Sequence, residues 1–486
     1  MSDIAQETIR YAAFAAFNIL VAKEVNTVVN EPYMDEPFHI PQAQAYCRGE
    51  WDSWDPKITT PPGLYLLSVI LKKIFLFKCT IGTLRLTNIL LLSFFPPLIS
   101  SLQAKLRRID APQSWLEPTL ESIVISAFPI TWFFAFLYYT ETGSVFFVLA
   151  CLLAALHQKH WLAALLGLIS CTFRQTNIVW VFYALGLSLL KTLHLRRVGH
   201  SKHLHDPVVV DAKIEDFAKS VMSLPRAILP LLPFIIPYAL LALVFTVFVV
   251  WNGGIVLGDK SNHIPQMHIP QLFYFVGFCT ALGFPVLIGG PGGLIHLVKA
   301  IVSLIAGTWR RLLLYVTFCV LTGTIIHFFT IHHPFLLSDN RHYTFYVWNR
   351  LYRRHSLVPY ILSPVYVTCY YAWFIRLYYP PSMTLNDEQP VHSKQIVHRS
   401  EKSLLEALLL PICLLPTLLP TPLLEPRYFL IPWLLLRLQI DPPQIRSFES
   451  LHWSLLGEGV WNAVINWGTM YVFLYKYRPG VGRFMW

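Results

Sequence analysis

Charged residues are scarce in this sequence. Asp, Glu, Lys and Arg together make up 13% of its 486 residues, whereas hydrophobic residues make up 55%. A soluble protein of this length needs a much larger polar surface, so the scarcity excludes a soluble globular protein and predicts that most of the chain lies in a lipid bilayer. The net charge of +11 is concentrated in short basic segments between apolar runs. That distribution is typical of cytosolic membrane loops and argues against nucleic-acid binding.

Several chemical signatures are absent as well. The eight cysteines stand singly and form no CxxC pair, which predicts neither a zinc site nor a disulfide framework. No glycine-rich phosphate loop and no DxD motif occurs, so a soluble nucleotide-sugar donor held by a metal is disfavoured. Lys260, His263 and His268 lie in a polar loop beside prolines, three and five residues apart. Their spacing is a weak metal signal, and we expect no metal site.

Apolar runs recur from one end of the sequence to the other, and many approach the roughly 20 residues that a membrane-spanning helix needs. Backbone groups in lipid must pair within the protein, so helices are the default. We therefore predict an all-α polytopic membrane protein with about 11 to 14 transmembrane helices. Residues 1–486 are expected to form a single membrane-embedded domain. The short run at residues 64–76 is one of the candidate spans.

The polar interruptions indicate which side of the membrane each loop faces. Residues 191–225 and 379–402 are expected to be cytosolic loops, whereas residues 30–63 are expected to face the lumen. Basic clusters at residues 310–311 and 350–354 also indicate the cytosolic side. The cluster at residues 105–108 conflicts with strict alternation. Either a short apolar stretch is re-entrant, or the positive-inside rule fails at that loop.

The densest polar segment follows the first apolar run and reads YMDEPFHIPQAQAYCRGEWDSWDPKITTPPG, residues 33–63. Pro37 suits the first turn of a short amphipathic helix, so Asp35 either caps that helix or is available for chemistry. Trp51 and Trp54 are either interfacial anchors or a platform that stacks on a sugar ring. This segment is the first candidate for a catalytic loop.

Ionisable residues at the ends of other apolar runs are functional candidates by default. Arg341 and His342 occur in SDNRHYTFY, and Glu425 and Arg427 occur in LLEPRYFLIPW. Internal ion pairs, Glu425 with Arg427 or Asp339 with Arg341, are the structural alternative. Acidic and cationic groups at one membrane face suit transfer from a lipid phosphate to a hydroxyl. A carboxylate then accepts the hydroxyl proton, and Arg, Lys or His holds the departing phosphate.

Several long segments carry a resemblance to a known family. They read MDEPFHIPQAQAYCRGEWDSWDPKITTPPGLY, FLYYTETGSVFF, FRQTNIVW, GDKSNH followed by HIPQLFYF, HPFLLSDNRHYTFYVW and LLEPRYFLIP. In this order, between residues 30 and 437, they resemble the dolichyl-phosphate-glucose α-1,2-glucosyltransferases of the endoplasmic reticulum. Those enzymes add the terminal glucose to the lipid-linked oligosaccharide used for N-glycosylation.

The resemblance implies a GT-C type helical bundle in the endoplasmic reticulum membrane, with short amphipathic helices on a luminal first loop and the active site facing the lumen. It implies dolichyl phosphate β-glucose as donor and the diglucosylated dolichyl-pyrophosphate oligosaccharide as acceptor. It also implies an inverting single displacement without a metal cofactor. The base of such enzymes lies early in the first luminal loop, which corresponds here to Asp35, with Glu36 as the second choice.

The resemblance also implies a set of substrate-binding residues around that base. They are Tyr33, His39, Gln42, Trp51, Asp52, Trp54, Asp55, Lys57, Glu141, Lys260, His268, Arg341, His342, Glu425 and Arg427. The candidates for the donor phosphate are Lys57, Arg341, His342 and Arg427.

Two other functions fit parts of the pattern. Another dolichyl-phosphate-sugar transferase of the same architecture would need the same residue types. A transporter or a channel-accessory protein would show charged or broken helices near the middle of the membrane, and often an internal repeat. The polar residues of this sequence concentrate at the ends of the apolar runs, which favours catalysis at a membrane surface.

Overall fold

The computed structural model describes residues 2–107, 114–197, 204–260, 264–289, 293–379, 402–440 and 448–486. Within these residues the regular structure is helical, and strand-like pairing is confined to isolated β-bridges. The helices are α1 Ser2–Val28, α2 Glu36–Arg48, α3 Gly63–Phe75, α4 Ile81–Arg107, α5 Leu120–Ser126, α6 Pro129–Phe134, α7 Glu141–Leu156, α8 His160–Phe173, α9 Asn177–Arg197, α10 Ile214–Ile228, α11 Leu232–Asn252, α12 Gln271–Leu282, α13 Phe284–Ile288, α14 Gly293–Ala306, α15 Trp309–Phe329, α16 Pro334–Ser338, α17 Tyr343–Val347, α18 Val358–Tyr378, α19 Leu404–Leu418, α20 Leu430–Leu438 and α21 Phe448–Tyr475. The all-α prediction is confirmed.

Five helical stretches among the described residues are long and apolar enough to cross a membrane. They are Ile81–Arg107, Asn177–Leu195, Ile214–Asn252, Trp309–Phe329 and Val358–Tyr378. In the most apolar part of α4, 67% is buried, so this helix lies at the centre of the bundle. In the most apolar part of α15, only 11% is buried, as expected for a helix that faces lipid. A polytopic membrane protein is therefore confirmed, and the number of about 11 to 14 spans stays a prediction.

Helices α1 and α4 define the two ends of the bundle. Asn26 accepts a hydrogen bond from Arg85 near the start of α4, at 3.2 Å, and Tyr11 donates to the Ser93 carbonyl half-way along it, at 2.7 Å. The two helices are therefore antiparallel, and the 27 residues of α1 extend about 40 Å, enough to cross a bilayer. We call the end that carries residues 30–63 the loop face, and the other end the opposite face.

Helices α2 and α3 form a hairpin on the loop face. Helix α3 has 13 residues and is about 20 Å long, shorter than the hydrocarbon core of a bilayer. Near its end, Lys72 Nζ donates to the Cys47 carbonyl of α2 at 2.6 Å, so the chain leaves α3 on the face where it entered. Leu66, Ile70 and Ile74 form an exposed apolar stripe at four-residue spacing. Residues 64–76 therefore belong to an amphipathic helix that does not cross the membrane.

This hairpin explains the basic cluster near residue 105. Because α3 does not cross, α4 begins on the loop face and ends on the opposite face with Lys105 and Arg107. The sequence left two explanations for this cluster, a re-entrant apolar stretch or a failure of the positive-inside rule. The structure contains the first, because residues 64–76 return to the side from which they came.

A disulfide joins Cys47 to Cys79, with the Cα atoms 6.5 Å apart. The scattered cysteines predicted no disulfide framework, and for this pair the expectation is wrong. The hairpin brings together two thiols that are 32 residues apart, a contact that local spacing does not reveal. The other six cysteines, in α7, α8, α12, α15, α18 and α19, are free.

The basic loop after α9 lies on the opposite face. Helix α9 begins beside the loop face, where Gln175 donates to the Thr59 carbonyl at 2.8 Å. At its other end, Lys191 pairs with Glu406 at 3.1 Å. The described part of residues 191–225 is therefore remote from residues 30–63, and the assignment of the two segments to cytosol and lumen stays a prediction. Residues 380–401 lie outside the described part of the chain.

A buried ionic network ties the helix ends together on the opposite face. Arg437 pairs with Glu121 at 2.9 Å and with Glu458 at 2.8 Å, and Arg107 pairs with Glu121 at 2.6 Å. The network joins α4, α5, α20 and α21, and its charges compensate one another. We regard it as structural.

The basic cluster at residues 350–354 lies on the loop face. Helices α15 and α18 are antiparallel neighbours, with His327 hydrogen-bonded to Tyr360 at 2.8 Å, so the segment between them returns to the face where α15 ends. The expectation that this cluster shares a side with residues 310–311 is wrong. Arg350 lies 5.0 Å over the Tyr346 ring, so packing of this folded segment places the cluster.

Candidate active site

Glu36 anchors the start of α2 to the centre of the bundle. Its side chain is fully buried and accepts from Arg85 Nε at 2.8 Å and Nη2 at 2.6 Å. It also accepts from the backbone N–H groups of Tyr138 at 2.7 Å and Tyr33 at 3.0 Å. Both carboxylate oxygens are thus fully used by the protein, so Glu36 acts as a fixed point for the turn before it.

Asp35 is at the N-cap position of α2, yet its side chain makes no capping hydrogen bond. The helix-cap interpretation is therefore not supported by the geometry. Its backbone N–H donates to the Tyr139 hydroxyl at 3.0 Å, and its Oδ2 accepts from Arg427 Nη1 at 3.0 Å. The side chain is 40% exposed, so one edge of the carboxylate remains open to an incoming group.

Arg427 lies at the centre of a group of charges. It sits in the short 3₁₀ turn Pro426–Phe429 and pairs through Nε with Glu425. Its Nη1 also lies 3.5 Å from Glu141 Oε1. The Glu425–Arg427 pair proposed as a structural alternative therefore exists, and the same guanidinium holds Asp35.

A second arginine completes this group. Arg174, at the end of α8, donates to Glu141 Oε1 at 2.9 Å, while Glu141 Oε2 and Arg174 Nε are buried and have no hydrogen-bond partner among the described residues. Arg174 therefore contributes to the site. We call Asp35, Glu141, Arg174, Glu425 and Arg427 the charged cluster.

The cluster sets the ionisation of its carboxylates. Burial tends to raise the pKa of Asp35, but Arg427 and then His39 outweigh it, so the pKa lies below its ordinary value. Burial likewise tends to raise the pKa of Glu425, and Arg427 again brings it below the ordinary range. Both groups are therefore carboxylates at neutral pH. Burial lowers the pKa of His39, whose Nδ1 lies 2.5 Å from the Tyr65 hydroxyl.

The remainder of residues 33–63 forms a wall beside the cluster. Gln42 donates to the Ser53 carbonyl at 2.6 Å and accepts from the Asp55 N–H at 2.9 Å, so α2 braces the loop that follows it. Trp51 is 51% exposed and Trp54 packs edge-on against Tyr65. The exposed Trp51 ring is available for stacking.

Two further members of the predicted set lie at the rim of this wall. Asp52 is exposed, and the Lys57 Nζ lies 5.0 Å over the Phe38 ring. Neither contacts the charged cluster through a described hydrogen bond.

A C-terminal tail, residues 478–486, connects the first loop with the Arg341 segment. The Tyr33 hydroxyl accepts from the Arg483 N–H at 2.7 Å and donates to the Arg483 carbonyl at 2.5 Å. His342 Nδ1 lies 2.6 Å from the Trp486 carbonyl, and the Met485 N–H donates to the Arg341 carbonyl at 3.0 Å. The tail therefore holds Tyr33 and His342 in one arrangement.

Arg341 has a partner of its own. It donates to both carboxylate oxygens of Asp339, at 2.8 and 2.7 Å, which is the second ion pair proposed from the sequence. His342 faces the same carboxylate at 3.7 Å and lies near enough to Asp35 to contribute to lowering its pKa.

Lys260 and His268 lie apart from the charged cluster. Lys260 Nζ donates to the carbonyls of Asn252 and Gly253 at the end of α11, at 2.6 and 3.3 Å. His268 is buried, which lowers its pKa to about 4, and its Nδ1 lies 3.1 Å from the Pro422 carbonyl. Both residues brace loops that surround the site, and His263 lies outside the described part of the chain.

Arg174 is absent from the predicted set, and sequence reasoning also missed three other contributors to this site. Arg85 is a charge inside an apolar run, and such a residue signals a buried partner. Tyr139 and Arg483 gave no local signal, because their contacts with the first loop span 104 and 450 residues. The described residues contain no group of three His, Cys, Asp or Glu side chains arranged to hold a metal ion.

Comparison with known proteins decides the family. The model of the DIE2/ALG10 family matches residues 29–438. The chain belongs to the DIE2/ALG10 family. All five residues of the charged cluster fall inside the matched region, whereas the tail lies beyond it.

Curated DIE2/ALG10 relatives match the chain over nearly their whole length. A human protein named Dol-P-Glc:Glc(2)Man(9)GlcNAc(2)-PP-Dol alpha-1,2-glucosyltransferase is 35% identical, with 96% of each chain covered. Proteins of the same name from Yarrowia lipolytica and Arabidopsis thaliana are each 32% identical, with 98% and 95% of this chain and 96% of each relative covered. No solved structure matches the chain.

Proposed function

We propose that this protein transfers glucose from dolichyl phosphate β-D-glucose to the diglucosylated, dolichyl-pyrophosphate-linked oligosaccharide and forms the terminal α-1,2-linked glucose. The family and the printed names of its relatives support this donor and this acceptor. The observation that carries the proposal is Asp35, a partly exposed carboxylate held 3.0 Å from Arg427 at one end of a membrane bundle.

The chemistry follows from a β-linked donor and an α-linked product. The acceptor 2-hydroxyl oxygen attacks C1 of glucose while the bond from C1 to the phosphate oxygen breaks, so the configuration inverts in one displacement. Asp35 accepts the hydroxyl proton as general base, and dolichyl phosphate leaves with the electron pair of the broken bond. Alignment of the hydroxyl opposite the departing phosphate supplies a large part of the rate.

Arg427 is the cation best placed for the departing phosphate. Its guanidinium already lies beside the base, and arginine binds phosphate through paired N–H donors. Arg341 and His342 are the next candidates, and both face Asp339. Guanidinium groups can stabilise the departing phosphate dianion without a cation cofactor, so we propose a metal-independent reaction.

We further propose that the loop face lies in the lumen of the endoplasmic reticulum. The Cys47–Cys79 disulfide on this face supports the proposal, because disulfides persist in oxidising compartments. Lys105, Arg107 and Lys191 on the opposite face follow the preference of basic residues for the cytosol.

The decisive experiment is transfer by the purified protein in nanodiscs. The donor is dolichyl phosphate glucose, the acceptor is the diglucosylated lipid-linked oligosaccharide, and each reaction is run with and without chelator. We expect one added glucose, with an α-1,2 linkage in the NMR spectrum of the released glycan. A product without that linkage would refute the proposal, and activity that vanishes with chelator would refute metal independence.

A further inference from the structure

A cleft on the loop face lies between the end of α21 and the tail. It has a volume of about 390 Å³ and is lined by Tyr343, Val472, Tyr475, Lys476, Tyr477, Arg478 and Phe484. Cavities of this size accommodate ligands of the size of a phosphorylated headgroup. The lining combines two cations with four aromatic rings, a composition suited to an anionic group at a membrane surface.

The cations at the cleft have no carboxylate partner among the described residues, although Arg478 donates to the Tyr346 hydroxyl at 3.2 Å. Arg478 lies 4.6 Å over the Phe484 ring and 6.0 Å over the Tyr346 ring, and Arg350 lies over the same Tyr346 ring at 5.0 Å. Lys476, Arg478 and Arg350 are all exposed, and none of the three forms an ion pair with a carboxylate in the described part of the chain. Three cations that pair with no described carboxylate therefore converge on one edge of the loop face, where the nearest acidic contact is the hydrogen bond from the Tyr475 hydroxyl to Glu24.

An apolar track leads across the membrane to this cleft. Its members are exposed residues of α21 at three- or four-residue spacing: Leu456, Val460, Val464, Trp467, Tyr471 and Tyr475. Trp467 and Tyr471 are stacked at 5.6 Å, and Lys476 lies 5.5 Å over the Tyr471 ring at the end of the track. A helix face of this kind faces acyl or isoprenoid chains, and its cationic end faces a headgroup.

We propose that the cleft binds the pyrophosphate of the lipid-linked acceptor, with the isoprenoid chain along the exposed face of α21. This inference rests on the proposed function. It places the acceptor, the second substrate of the proposed reaction, at a site separate from the charged cluster. A pyrophosphate diester carries two negative charges, which Lys476 and Arg478, with Arg350 beside them, can neutralise.

The donor phosphate cannot occupy this place. Glucose C1 must reach the Asp35 carboxylate together with the acceptor hydroxyl, so the phosphate on C1 lies within a few ångströms of the charged cluster. The Arg483 N–H of the tail donates a hydrogen bond to the Tyr33 hydroxyl, and the next residue, Phe484, lines the cleft. The tail therefore separates the cleft from the turn that carries Asp35. The acceptor pyrophosphate is remote from the reacting hydroxyl, because a branched glycan lies between them.

The test compares Lys476→Gln and Arg478→Gln, singly and together, with Arg310→Gln. Arg310 is also an exposed arginine over an aromatic ring, Trp309, but lies on the opposite face. In nanodiscs of phosphatidylcholine we expect the double variant to raise the acceptor KM about tenfold, because charge-assisted bonds to phosphate are lost. The kcat, the donor KM and the unfolding temperature should stay at the wild-type values, and Lys476→Arg with Arg478→Lys should restore the acceptor KM.

A second measurement separates this inference from the proposed function. Dolichyl pyrophosphate without a glycan is added to the protein in nanodiscs, and its retention is measured by native mass spectrometry. We expect the wild type and Arg310→Gln to retain it and the double variant to lose it. If the wild type transfers no glucose but still retains the probe through these two residues, the proposed function fails and the site stands.

Three results would overturn the site. The first is an unchanged acceptor KM together with equal retention of dolichyl pyrophosphate by the wild type and the double variant. The second is a rise in the donor KM equal to that of the acceptor. The third is an effect that occurs only in nanodiscs containing phosphatidylserine, with equal retention of the probe, which would show a site for bulk anionic phospholipid.

Discussion

Two adjacent carboxylates illustrate how much of this site depends on distant residues. Asp35 and Glu36 are chemically similar, and the sequence alone offers both as bases. Arg85 of α4 fixes Glu36 in a fully buried pair, whereas Arg427, from the other end of the sequence, holds Asp35 at a partly open position. The segment was predictable from its composition, but the division of roles between the two residues depends on contacts across 49 and 392 residues.

Substitution should separate these two roles. We expect Asp35→Asn to lower kcat by about 10² to 10⁴, because the general base is lost, while donor binding changes little. Glu36→Gln should instead destabilise the fold by about 3–5 kcal/mol, because the Arg85 charge is left buried and unpaired. The measurements are single-turnover transfer, donor binding and thermal unfolding, with Glu50→Gln, a surface residue of the same loop, as the control. Normal turnover by Asp35→Asn would show that another group accepts the proton.

The pH dependence should report the same carboxylate. The pKa of Asp35 is below its ordinary value, so the base is already ionised at neutral pH and turnover should stay level on moderate acidification. The rate, and the stability that the Asp35–Arg427 pair contributes, should be lost only as the pH falls through that lowered pKa. In Arg427→Gln, burial is no longer outweighed by Arg427, so the acidic limb of kcat/KM should move to higher pH. An acidic limb at the same pH in both proteins would contradict this role of Arg427.

At the scale of elements, the tail is the part of the site that sequence reasoning did not find. Residues 478–486 contain two arginines, a Pro-Gly pair and aromatics, and none of these local signals points to Tyr33. By contrast, the polar loop, the Glu425–Arg427 turn and the Arg341–His342 segment were all predicted, because ionisable residues at the ends of apolar runs are conspicuous. The structure shows how these three elements and the tail contact one another.

Weakening the tail should impair catalysis more than binding. Tyr33→Phe removes the hydroxyl that bridges both backbone groups of Arg483, and we expect kcat to fall about tenfold with an unchanged donor KM, because one to two hydrogen bonds are lost. Gly482→Ala should act in the same direction, since its φ is +109° and a Cβ would lie 3.0 Å from the Tyr33 hydroxyl. The matched control is Gly468→Ala in α21, where a Cβ would meet nothing within 4 Å. Equal kcat values for all three variants would show that the tail is dispensable.

The α2–α3 hairpin should depend on its disulfide. Removing Cys47–Cys79 by a double Ser substitution should destabilise the protein by about 2–4 kcal/mol, because the intervening loop regains conformational freedom on unfolding. The comparison is the midpoint of thermal unfolding for this variant and for Cys319→Ser, a free thiol in α15. A reductant should lower the midpoint of the wild type and leave that of the double variant unchanged. If reductant lowered the midpoint of the double Ser variant as well as that of the wild type, loss of this disulfide would not be the cause of the shift.

At the scale of the whole molecule, the two ends of the bundle have different roles. The opposite face is closed by compensated pairs such as Arg437–Glu458, whereas the loop face carries the charged cluster and cations that form no ion pair with any described carboxylate. The helical class and the polar loops were predictable from hydropathy, because lipid demands apolar helices. The folding of residues 64–76 back onto the loop face was not, because a 13-residue apolar helix looks the same whether it crosses or lies flat.

The bond between Arg483 and the end of α1 constrains the path of the chain. Arg483 Nη2 donates to the Val28 carbonyl at 3.0 Å, so the tail is on the face where α1 ends, while residue 2 is on the face where α1 begins. Between these points the chain must therefore traverse the bilayer an odd number of times, which leaves 11 or 13 from the range of about 11 to 14. Tags at the two termini should be cleaved by protease from opposite sides of sealed microsomes.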